Sequence, residues 1–411
     1  MKRFAALAFF LALICTAFSA SQANRDFVEG LFLLHQGKPE AAIQRLKKAI
    51  QVNPSSAIYY SALGEAYTAL HDFNQAEQSY RSAVILDPNN ASLHYHLSKV
   101  LEEKDELETA ILEAEKAVSL NRTESTYENR LGNLYFAEGR YGDAEKSYQQ
   151  AVALSPHDLV IHYNLARAYD TLGLHDKAET EYETVLAGGE DADARFRLAQ
   201  SFENEGKNAE AIAEYRHALV DSPMNPEVEN AYGLFLHALN RDEEAVKAYQ
   251  KAITLNPTEP AYVYNLGMAE AALHRTKLAQ TAFQKTTFLD PKNAEAWSQI
   301  GALAMLDEDW GKAEEAYEKA IKIDPRRASY HTALGEILEA TAKDKEAIEE
   351  YRQGVILDPK EALAHYRLGM LYAKQGLSEQ AYEEFKVALE AAESPSLKGR
   401  IIRALWKYGG Q

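Results

Sequence analysis

One position recurs along this chain at a fixed spacing, and that repeat constrains the fold more than any other feature. Alanine occupies it eleven times, and successive alanines lie 34 residues apart, except for one step of 33 residues. The eleven are Ala42, Ala76, Ala110, Ala144, Ala178, Ala211, Ala245, Ala279, Ala313, Ala347 and Ala381. A single period held over most of a chain indicates a tandem array of one supersecondary unit.

Three further positions share this period and together predict two short helices in each repeat. A small residue precedes each alanine by twelve positions, an aromatic residue follows most of them by four positions, and a proline ends most repeats. In the repeat 57–90, apolar residues lie three and four positions apart in 57–70 and again in 75–86, which is the spacing of one helix face. Pro88 then ends the second helix, because proline cannot continue it.

The small residues suit places where two helices approach closely. We expect the helices of one repeat to cross at Gly64 and Ala76 with no side chain between them, and Tyr80 to fill the space beside that contact. Glycines such as Gly37 and Gly139 fall in the turn between the two helices, where they suit a left-handed backbone just past a helix end.

A 34-residue helix–turn–helix with these positions resembles the tetratricopeptide repeat (TPR) family. Its signature is carried by stretches such as YSALGEAY at 60–67 and WSQIG at 297–301, and it extends over about residues 24 to 395. The resemblance implies an all-α fold, a right-handed α-solenoid of about eleven tandem helix–turn–helix units followed by a C-terminal capping helix. It also implies that the first helices of the repeats line a concave groove, while each repeat contacts only its neighbours.

The chain divides into four segments on this interpretation. They are a signal peptide in 1–23, repeats one to five in 24–191, repeats six to eleven in 192–395, and a capping helix with its tail in 396–411. The fifth repeat is one residue short and lacks the closing proline, so we predict a hinge near Gly188 and Gly189. In the last segment, one apolar stripe has two further apolar residues beside it and basic residues opposite. The stripe is Leu397, Ile401, Leu405 and Tyr408, with Ile402 and Trp406 beside it.

The first 23 residues have the pattern of a secretory signal peptide. A positive start, an apolar run in 4–18 and small residues at Ser21 and Ala23 predict cleavage after Ala23. An uncleaved anchor is the alternative, although the run is short for a membrane-spanning helix. Cys15 is the only cysteine, so the rest of the chain forms no disulfide and carries no thiol or zinc–thiolate site. We expect an exported protein, periplasmic in the first place, with secreted or envelope-associated locations left open.

Charge and motifs argue against several classes of function. The formal net charge of −18 disfavours binding to nucleic acid or to an anionic membrane surface. The sequence contains no nucleophile elbow, no zinc-binding HExxH motif and no phosphate-binding loop. We therefore predict a protein that is not an enzyme, with no cofactor, no metal and no stable membrane insertion after signal cleavage. That leaves binding as the function.

The groove face of repeats four to six carries a locally basic, amide-rich patch. Its members are Asn129, Arg130, Asn133, Tyr163, Asn164, Arg167, Phe196 and Arg197. Arginine pairs with a carboxylate through two parallel hydrogen bonds, and asparagine can hold a peptide backbone, so the predicted ligand is a protein or peptide, acidic or C-terminal. The patch resembles in part the carboxylate clamp of TPR co-chaperones. Asn133, Asn164 and Arg197 match that clamp, whereas Asn129 and Asp193 stand where it has two lysines.

A second group on the same face lies further along the chain and comprises Tyr264, Asn265, Tyr366 and Arg367. Aromatic and amide side chains suit an extended peptide and also a polysaccharide. Two hypotheses follow. In the first, the protein is a scaffold that holds peptide segments or partner helices in its groove and helps to assemble an envelope or secretion complex. In the second, it is a glycan-binding or polysaccharide-export scaffold with the tyrosines as stacking platforms. The sequence leaves self-association open.

Overall fold

The structure, a computed structural model, describes residues 21–408, and all of their regular secondary structure is α-helical. The chain is organised as two compact units, Met1–Asp221 and Ser222–Gln411. The first contains α1 (Gln22–His35), α2 (Pro39–Val52), α3 (Ala57–Ala69), α4 (Phe73–Leu86), α5 (Ala91–Glu103), α6 (Leu107–Leu120), α7 (Ser125–Ala137), α8 (Tyr141–Leu154), α9 (Leu159–Thr171), α10 (His175–Ala187), α11 (Ala192–Asn204) and α12 (Asn208–Asp221).

The second unit contains the remaining eleven helices. They are α13 (Pro226–Ala238), α14 (Asp242–Leu255), α15 (Pro260–Ala272), α16 (Thr276–Leu289), α17 (Ala294–Leu306), α18 (Trp310–Ile323), α19 (Ala328–Ala340), α20 (Asp344–Leu357), α21 (Ala362–Lys374), α22 (Ser378–Ala391) and α23 (Pro395–Tyr408). Within each unit, consecutive helices pack as pairs, and the second helix of one pair packs against the first helix of the next. Six pairs in the first unit and five in the second confirm the all-α solenoid of about eleven repeats.

The repeated alanine is the centre of each pair. All eleven alanines are 0% exposed, so the 34-residue period marks the core as the sequence predicts. The contact at the small residue differs from the expectation, however. A Cβ atom placed on Gly64 would lie 2.8 Å from the Tyr80 ring, and one on Gly233 would lie 2.6 Å from the Tyr249 ring. The aromatic ring therefore lies directly on the glycine, which needs to lack a Cβ, while a Cβ atom on Gly30 or Gly369 would also lie 3.5 or 3.2 Å from the carbonyl oxygen of the repeated alanine.

The turn inside each pair uses one residue with a left-handed backbone. Glycine supplies this residue in five pairs, at Gly37, Gly139, Gly173, Gly206 and Gly376. In the other six pairs it is His71, Asp105, Asn240, His274, Glu308 and Ala342. The glycine positions agree with the sequence expectation. The other six show that the turn geometry is imposed by packing of the pair even where the residue disfavours it.

A histidine braces four of the pairs in the same way. His94, His162, His331 and His365 each place Nδ1 at 2.5–2.8 Å from a glutamate nineteen residues later, and Nε2 at 3.0–3.3 Å from a proline carbonyl oxygen six residues earlier. The glutamates are Glu113, Glu181, Glu350 and Glu384. Each histidine thus ties the two helices of its pair to the preceding closing turn.

Helix α23 covers the last pair of the second unit, which confirms the predicted cap. Ile401 is fully buried, and the Tyr408 ring stacks on Phe385 with centroids 6.3 Å apart. Leu397 and Leu405 pack at the edge of the same core. Ile402 and Trp406, which the sequence places beside the stripe, are exposed.

The beginning of the described chain bears on the signal-peptide prediction, whose residues 1–20 lie outside the described residues. Ser21 caps α1 by accepting a hydrogen bond from the Asn24 amide at 3.4 Å. Ala23 is buried in a small cluster with Ala49 and Tyr59. The predicted cleavage site after Ala23 therefore falls inside the first turn of a packed helix, and the cleavage itself stays a prediction.

Candidate functional site

The first helices of repeats four, five and six form a cleft of about 390 Å³ in the first unit. Eight of the nine lining residues come from α7, α9 and α11, and the ninth, a tyrosine, comes from α10. The lining residues are Phe136, Arg167, Asp170, Thr171, Tyr182, Arg197, Gln200, Glu203 and Asn204. The structure thus brings Arg167 and Arg197, two of the predicted groove residues, into one cavity.

Arg167 is held by aromatic rings rather than by a carboxylate. Its guanidinium carbon lies 4.9 Å from the centroid of the Phe136 ring and 5.9 Å from that of Tyr163. Within residues 21–408, no carboxylate lies within ion-pair distance of this guanidinium. None of the Arg167 side-chain nitrogens donates a hydrogen bond within residues 21–408, so its N–H donors remain available to an anion.

Arg197 lacks a carboxylate partner in the described chain as well. Its Nη1 atom donates to Gln200 Oε1 at 3.5 Å, and its Nε atom is buried with no hydrogen-bond partner. Burial alone would lower the pKa of Arg197, but Tyr163 and Asp193 nearby more than offset that effect, so the pKa is raised. The group is therefore a half-buried, permanent cation that keeps unused donors.

The third polar group of interest at the cleft is the hydroxyl of Tyr182, which lies on α10. Tyr182 is 0% exposed, and its hydroxyl forms no hydrogen bond of normal geometry, although the Asp170 carboxylate is nearby. Burial, and after it the Asp170 carboxylate, raises the pKa of this phenol, so it is a neutral donor at any physiological pH.

The two acidic residues of the cleft differ from the arginines, because both have partners in the protein. Asp170 Oδ1 lies 3.0 Å from His175 Nδ1, and Glu203 Oε2 accepts a hydrogen bond from the Tyr215 hydroxyl at 2.8 Å. The chain as a whole carries 62 acidic and only 44 basic residues, so cations without carboxylate partners are unexpected. The cleft is suited to a carboxylate or another small anion.

The predicted amides lie beside the cleft and are braced by the protein itself. Asn164 Nδ2 donates to Asn129 Oδ1 at 3.0 Å, and the Tyr148 hydroxyl donates to Asn133 Oδ1 at 2.8 Å. The Tyr163 hydroxyl donates to Asp193, one of the positions where the co-chaperone clamp has lysine. Each asparagine keeps part of its hydrogen-bonding capacity for a peptide backbone.

Arg130 must be removed from the predicted patch. It is 9% exposed, and its guanidinium donates to Glu102 Oε2 at 2.6 Å, to the Ser98 carbonyl oxygen at 2.8 Å and to Ser98 Oγ at 3.3 Å. These bonds tie repeat four to repeat three, where serine replaces the usual glycine. The structure assigns Arg130 to this internal tie, because its donors are already occupied.

The second predicted group lies in the second unit and is spread over two helices. Asn265 on α15 donates to Asn230 at 2.9 Å, and the Tyr264 ring leans on Phe283. On α21, Arg367 donates to Glu336 at 3.0 Å. Tyr366 packs beside Phe385, and the Arg400 guanidinium lies 5.4 Å above its ring. These two helices are three repeats apart in sequence, and Arg367 forms ion pairs with Glu336 and Glu339 while its Nε atom is buried without a hydrogen-bond partner.

Sequence reasoning missed seven of the nine lining residues, and three of them carried a usable signal. Phe136, Asp170 and Glu203 occupy equivalent positions one helical turn beyond Asn133, Arg167 and Gln200. Extending the same helix face by one turn would therefore have found them. Tyr182 gave no such signal, because it is a member of the core aromatic column and only the packing exposes its hydroxyl to the cleft.

One carboxylate cluster has the spacing of a metal site but is neutralised by the protein. Asp176, Glu179 and Glu205 place oxygen atoms within 4.8 Å of one another. The Lys207 ammonium lies 2.7 Å from Glu179 and 2.6 Å from Glu205, and these hydrogen bonds raise the pKa of Lys207. The Lys207 ammonium thus occupies the place that a metal cation would take beside Glu179 and Glu205. Over residues 21–408, no helix has both the length and the apolar character needed to cross a membrane.

Comparison with known proteins identifies the class to which this architecture belongs. Family models described as "Tetratricopeptide repeat" match residues 62–124, 135–201, 196–260, 294–327 and 362–395, and one described as "TPR repeat" matches 30–71 and 343–376. The protein is thus an α-solenoid repeat protein. It belongs to the tetratricopeptide repeat family, whose members typically act as non-enzymatic scaffolds in protein–protein interaction.

Individual relatives match over part of their length. The chain is 31% identical over 123 residues to formate-dependent nitrite reductase complex subunit NrfG of Escherichia coli O157:H7, covering 29% of this chain and 62% of that protein. It is 25% identical over 181 residues to anaphase-promoting complex subunit 3 of Schizosaccharomyces pombe, covering 44% and 27%. In both cases it spans less than two thirds of the relative. A solved TPR protein segment from Cytophaga hutchinsonii shares the fold, with TM-score 0.51, 22% identity and 58% and 98% coverage.

Proposed function

We propose that this protein is an interaction scaffold that binds an acidic or C-terminal peptide segment in the cleft of repeats four to six. One observation carries the proposal: Arg167 and Arg197 line one cavity with donors that no carboxylate of the described chain uses. A ligand carboxylate would accept hydrogen bonds from these guanidinium groups. The amides of Asn129, Asn133 and Asn164 would hold the peptide backbone beside the cleft.

We further propose that the protein acts outside the cytoplasm, in assembly of an envelope or secretion complex. The signal-peptide pattern of residues 1–23 and the lack of any cysteine after Cys15 support export. The name of one relative, a subunit of a nitrite reductase complex, supports a role in assembling a multisubunit enzyme. Cell fractionation of the source cells tests the location, and N-terminal sequencing of the mature chain tests the cleavage. Recovery with the cytoplasmic fraction and an intact Met1 would contradict this part of the proposal.

The binding proposal is tested by capture followed by defined peptides. The full chain, purified from its source, serves as bait in an extract of the same cells. Segments of captured proteins are then synthesised with either a free or an amidated C-terminus, and their affinities are measured by fluorescence anisotropy. We expect Arg167→Gln with Arg197→Gln to weaken the bound segment about 10- to 100-fold, since a hydrogen bond between charged groups is worth roughly 1.5–3 kcal/mol.

A matched control separates this effect from a general change of charge. Arg140→Gln with Arg241→Gln removes the same two charges from surface arginines that pair with Asp143 and Glu244. This control should bind like the unaltered chain. If the control weakens binding as much as the cleft variant does, or if the cleft variant binds normally, the site is elsewhere. If amidation of the C-terminus has no effect, the recognised group is an internal acidic side chain.

The glycan alternative rests on stacking by Tyr264 and Tyr366. The Arg400 guanidinium lies over the Tyr366 ring, and Phe283 packs against Tyr264, so each ring already has a neighbour that a sugar would have to share or displace. The peptide proposal is therefore preferred. Loss of affinity for an envelope polysaccharide after Tyr264→Ala and Tyr366→Ala, with peptide binding retained, would reverse that preference.

A further inference from the structure

The shortened fifth repeat creates a second cavity next to the arginine cleft. Its second helix, α10, has 13 residues, whereas the other second helices have 14. The helix ends at Gly188, and a Cβ atom on that residue would lie 2.3 Å from Leu159 Cδ1. Glycine thus allows Leu159 to lie against the end of α10 where a longer repeat would place a closing turn. The result is a pocket of about 380 Å³.

The floor of this pocket is apolar. Leu159 and Val160 come from the first turn of α9, and Val185 comes from the last turn of α10. Val185 is buried, whereas Val160 is 63% exposed, so an apolar surface open to solvent continues into a buried one. Covering such a surface with an aliphatic side chain is favourable by about 25 cal/mol for each Å² removed from water.

The rim of the pocket is acidic, in contrast to the neighbouring cleft. Glu190, Asp191 and Asp193 line it. Asp191 Oδ1 accepts from the amides of Asp193 and Ala194 as the cap of α11, and Asp193 accepts from Tyr163. No basic side chain of the described residues forms an ion pair with any of the three. The rim therefore favours a cation beside the apolar floor.

Tyr163 connects the two cavities. It lines the acidic pocket, and its ring lies 5.9 Å from the Arg167 guanidinium that lines the cleft. A single extended peptide that follows this face would pass from Arg167 and Arg197 to an apolar pocket whose acidic rim includes Glu190 and Asp191. The two cavities thus present opposite charges to different residues of one ligand.

We propose that this pocket is a second specificity site, which receives an apolar side chain with a lysine or arginine next to it in the peptide. The proposal rests on the proposed function, because the same peptide places its acidic group in the arginine cleft. The ligand is therefore a bipolar segment, with an acidic residue or C-terminus at one end and an apolar–basic pair at a fixed distance from it. The apolar side chain occupies the floor of Leu159, Val160 and Val185, and the basic side chain lies at Glu190 and Asp191.

The test uses a positional-scanning library on the full chain. The probes are mixtures of N-acetylated decapeptides, prepared once with a free and once with an amidated C-terminus, in which two positions are fixed at a time and the others are random. In the unaltered chain, we expect enrichment of Asp or Glu at one position, together with a Leu, Ile or Phe beside Lys or Arg at a constant separation. Val160→Trp, at the exposed edge of the floor, should reduce the apolar preference about tenfold, which corresponds to the burial of one aliphatic side chain.

A charge variant tests the rim without removing the helix cap. Glu190→Gln with Asp191→Asn keeps the side-chain shapes, and asparagine caps a helix as well as aspartate does. It should lower the preference for Lys or Arg about threefold or more, the range of a partly exposed ion pair, and leave the acidic preference unchanged. Asp307→Asn with Glu308→Gln, two exposed acids in the α17–α18 turn, is the matched control and should change neither preference.

The outcomes separate this inference from the function on which it rests. If no acidic residue is enriched at any position and a free C-terminus binds no better than an amidated one, the proposed cleft function fails. If an acidic residue is enriched but no apolar–basic pair accompanies it, only the second site is overturned. An apolar–basic preference that persists in both the Val160→Trp and the Glu190→Gln with Asp191→Asn variants would also overturn it, because the preference would then arise elsewhere.

Discussion

Arginines of one sequence pattern have opposite roles in this protein, and only their neighbours distinguish them. Arg130 is buried and donates to Glu102 and to the Ser98 carbonyl. Arg167 lies on aromatic rings and pairs with no carboxylate of the described chain. Both follow from the same helical periodicity of the first helices. Glu102 pairs with Arg130, whereas Phe136 packs against Arg167. This difference makes the Arg130 guanidinium structural and leaves the Arg167 guanidinium open to a ligand.

A substitution at Arg130 tests this assignment. Arg130→Met keeps the aliphatic stem and leaves Glu102 and the Ser98 carbonyl without their donors, so we expect a loss of about 2 kcal/mol in the free energy of unfolding. Urea denaturation followed by circular dichroism measures the change. Arg140→Met, which breaks the exposed pair with Asp143, should cost less than about 1 kcal/mol. Equal effects would show that Arg130 is no more than a surface charge.

The left-handed turn residues give a second test at this scale. Ala342 has φ 59° and is exposed, while Gly376 has φ 78° in the equivalent turn with no atom near its absent Cβ. Ala342→Gly should stabilise the protein by about 1 kcal/mol, and Gly376→Ala should destabilise it by a similar amount, because only glycine adopts this region without strain. Both are measured by urea denaturation. A lower stability of Ala342→Gly would mean that the entropy of the unfolded chain outweighs the strain.

The brace formed by His331 predicts a pH dependence with a definite sign. The hydrogen bond from His331 to Glu350 is the main cause that raises the pKa of His331 above its usual value near 6.5. Its stabilisation is thus complete below the unfolded pKa and is lost as the pH rises through the higher folded pKa. The stability difference between the unaltered chain and His331→Gln should be larger at pH 5.5 than at pH 8.5. Thermal unfolding at the two pH values measures it, and a difference that grows with pH would contradict the assignment.

At the scale of the helix, the helix pairs follow the regular spacing of the sequence repeats, and the joint between α10 and α11 departs from it. The closing turns of most repeats contain proline, which fixes the backbone after the second helix. The joint after α10 instead contains Gly188 and Gly189, with φ 154° at Gly189. The fifth repeat is one residue shorter than the others and lacks the closing proline. This shortening opens the acidic pocket and removes the proline restraint, so the predicted hinge and the proposed second site share one cause.

Hydrogen exchange tests the hinge directly. We expect the amides of residues 187–191 to exchange faster than those of a regular joint such as 86–90, because a glycine pair has more accessible backbone conformations and no proline restraint. The comparison is made by mass spectrometry on the full chain. Peptic peptides of equal length from both joints provide the internal control. Equal protection would show that Leu159 packing alone holds the joint rigid.

At the scale of the molecule, a tandem array predicts that damage stays local. Stability in such an array is roughly a sum of repeats and their nearest-neighbour interfaces. Phe385 is 0% exposed in α22 of the second unit, and Phe385→Ala should cost about 3–5 kcal/mol there. Hydrogen exchange should rise in α20–α23 and stay unchanged in α1–α6. A uniform rise across both units would show that the chain unfolds as a single cooperative body.

The sequence by itself determined the repeat, the helix pairs and the core. These follow from local rules, since a 34-residue period, the 3.6-residue helix spacing and the closing prolines are all written in neighbouring residues. The sequence also placed Arg167 and Arg197 on one face of the first helices, and both line the same cleft. The helix face on which a residue lies depends only on the sequence of that helix, so it can be predicted.

Only the tertiary structure decided which side chains are available to a ligand. Arg130 and Arg367 pair with glutamates 28 and 31 residues earlier in the chain, and Tyr182 lines the cleft from a second helix of its repeat. The glycine column carries aromatic rings because of how two helices cross, and the acidic pocket exists because one joint lacks a residue. Each of these features depends on distances between residues of different helices or repeats. Those distances are set only when the helices pack.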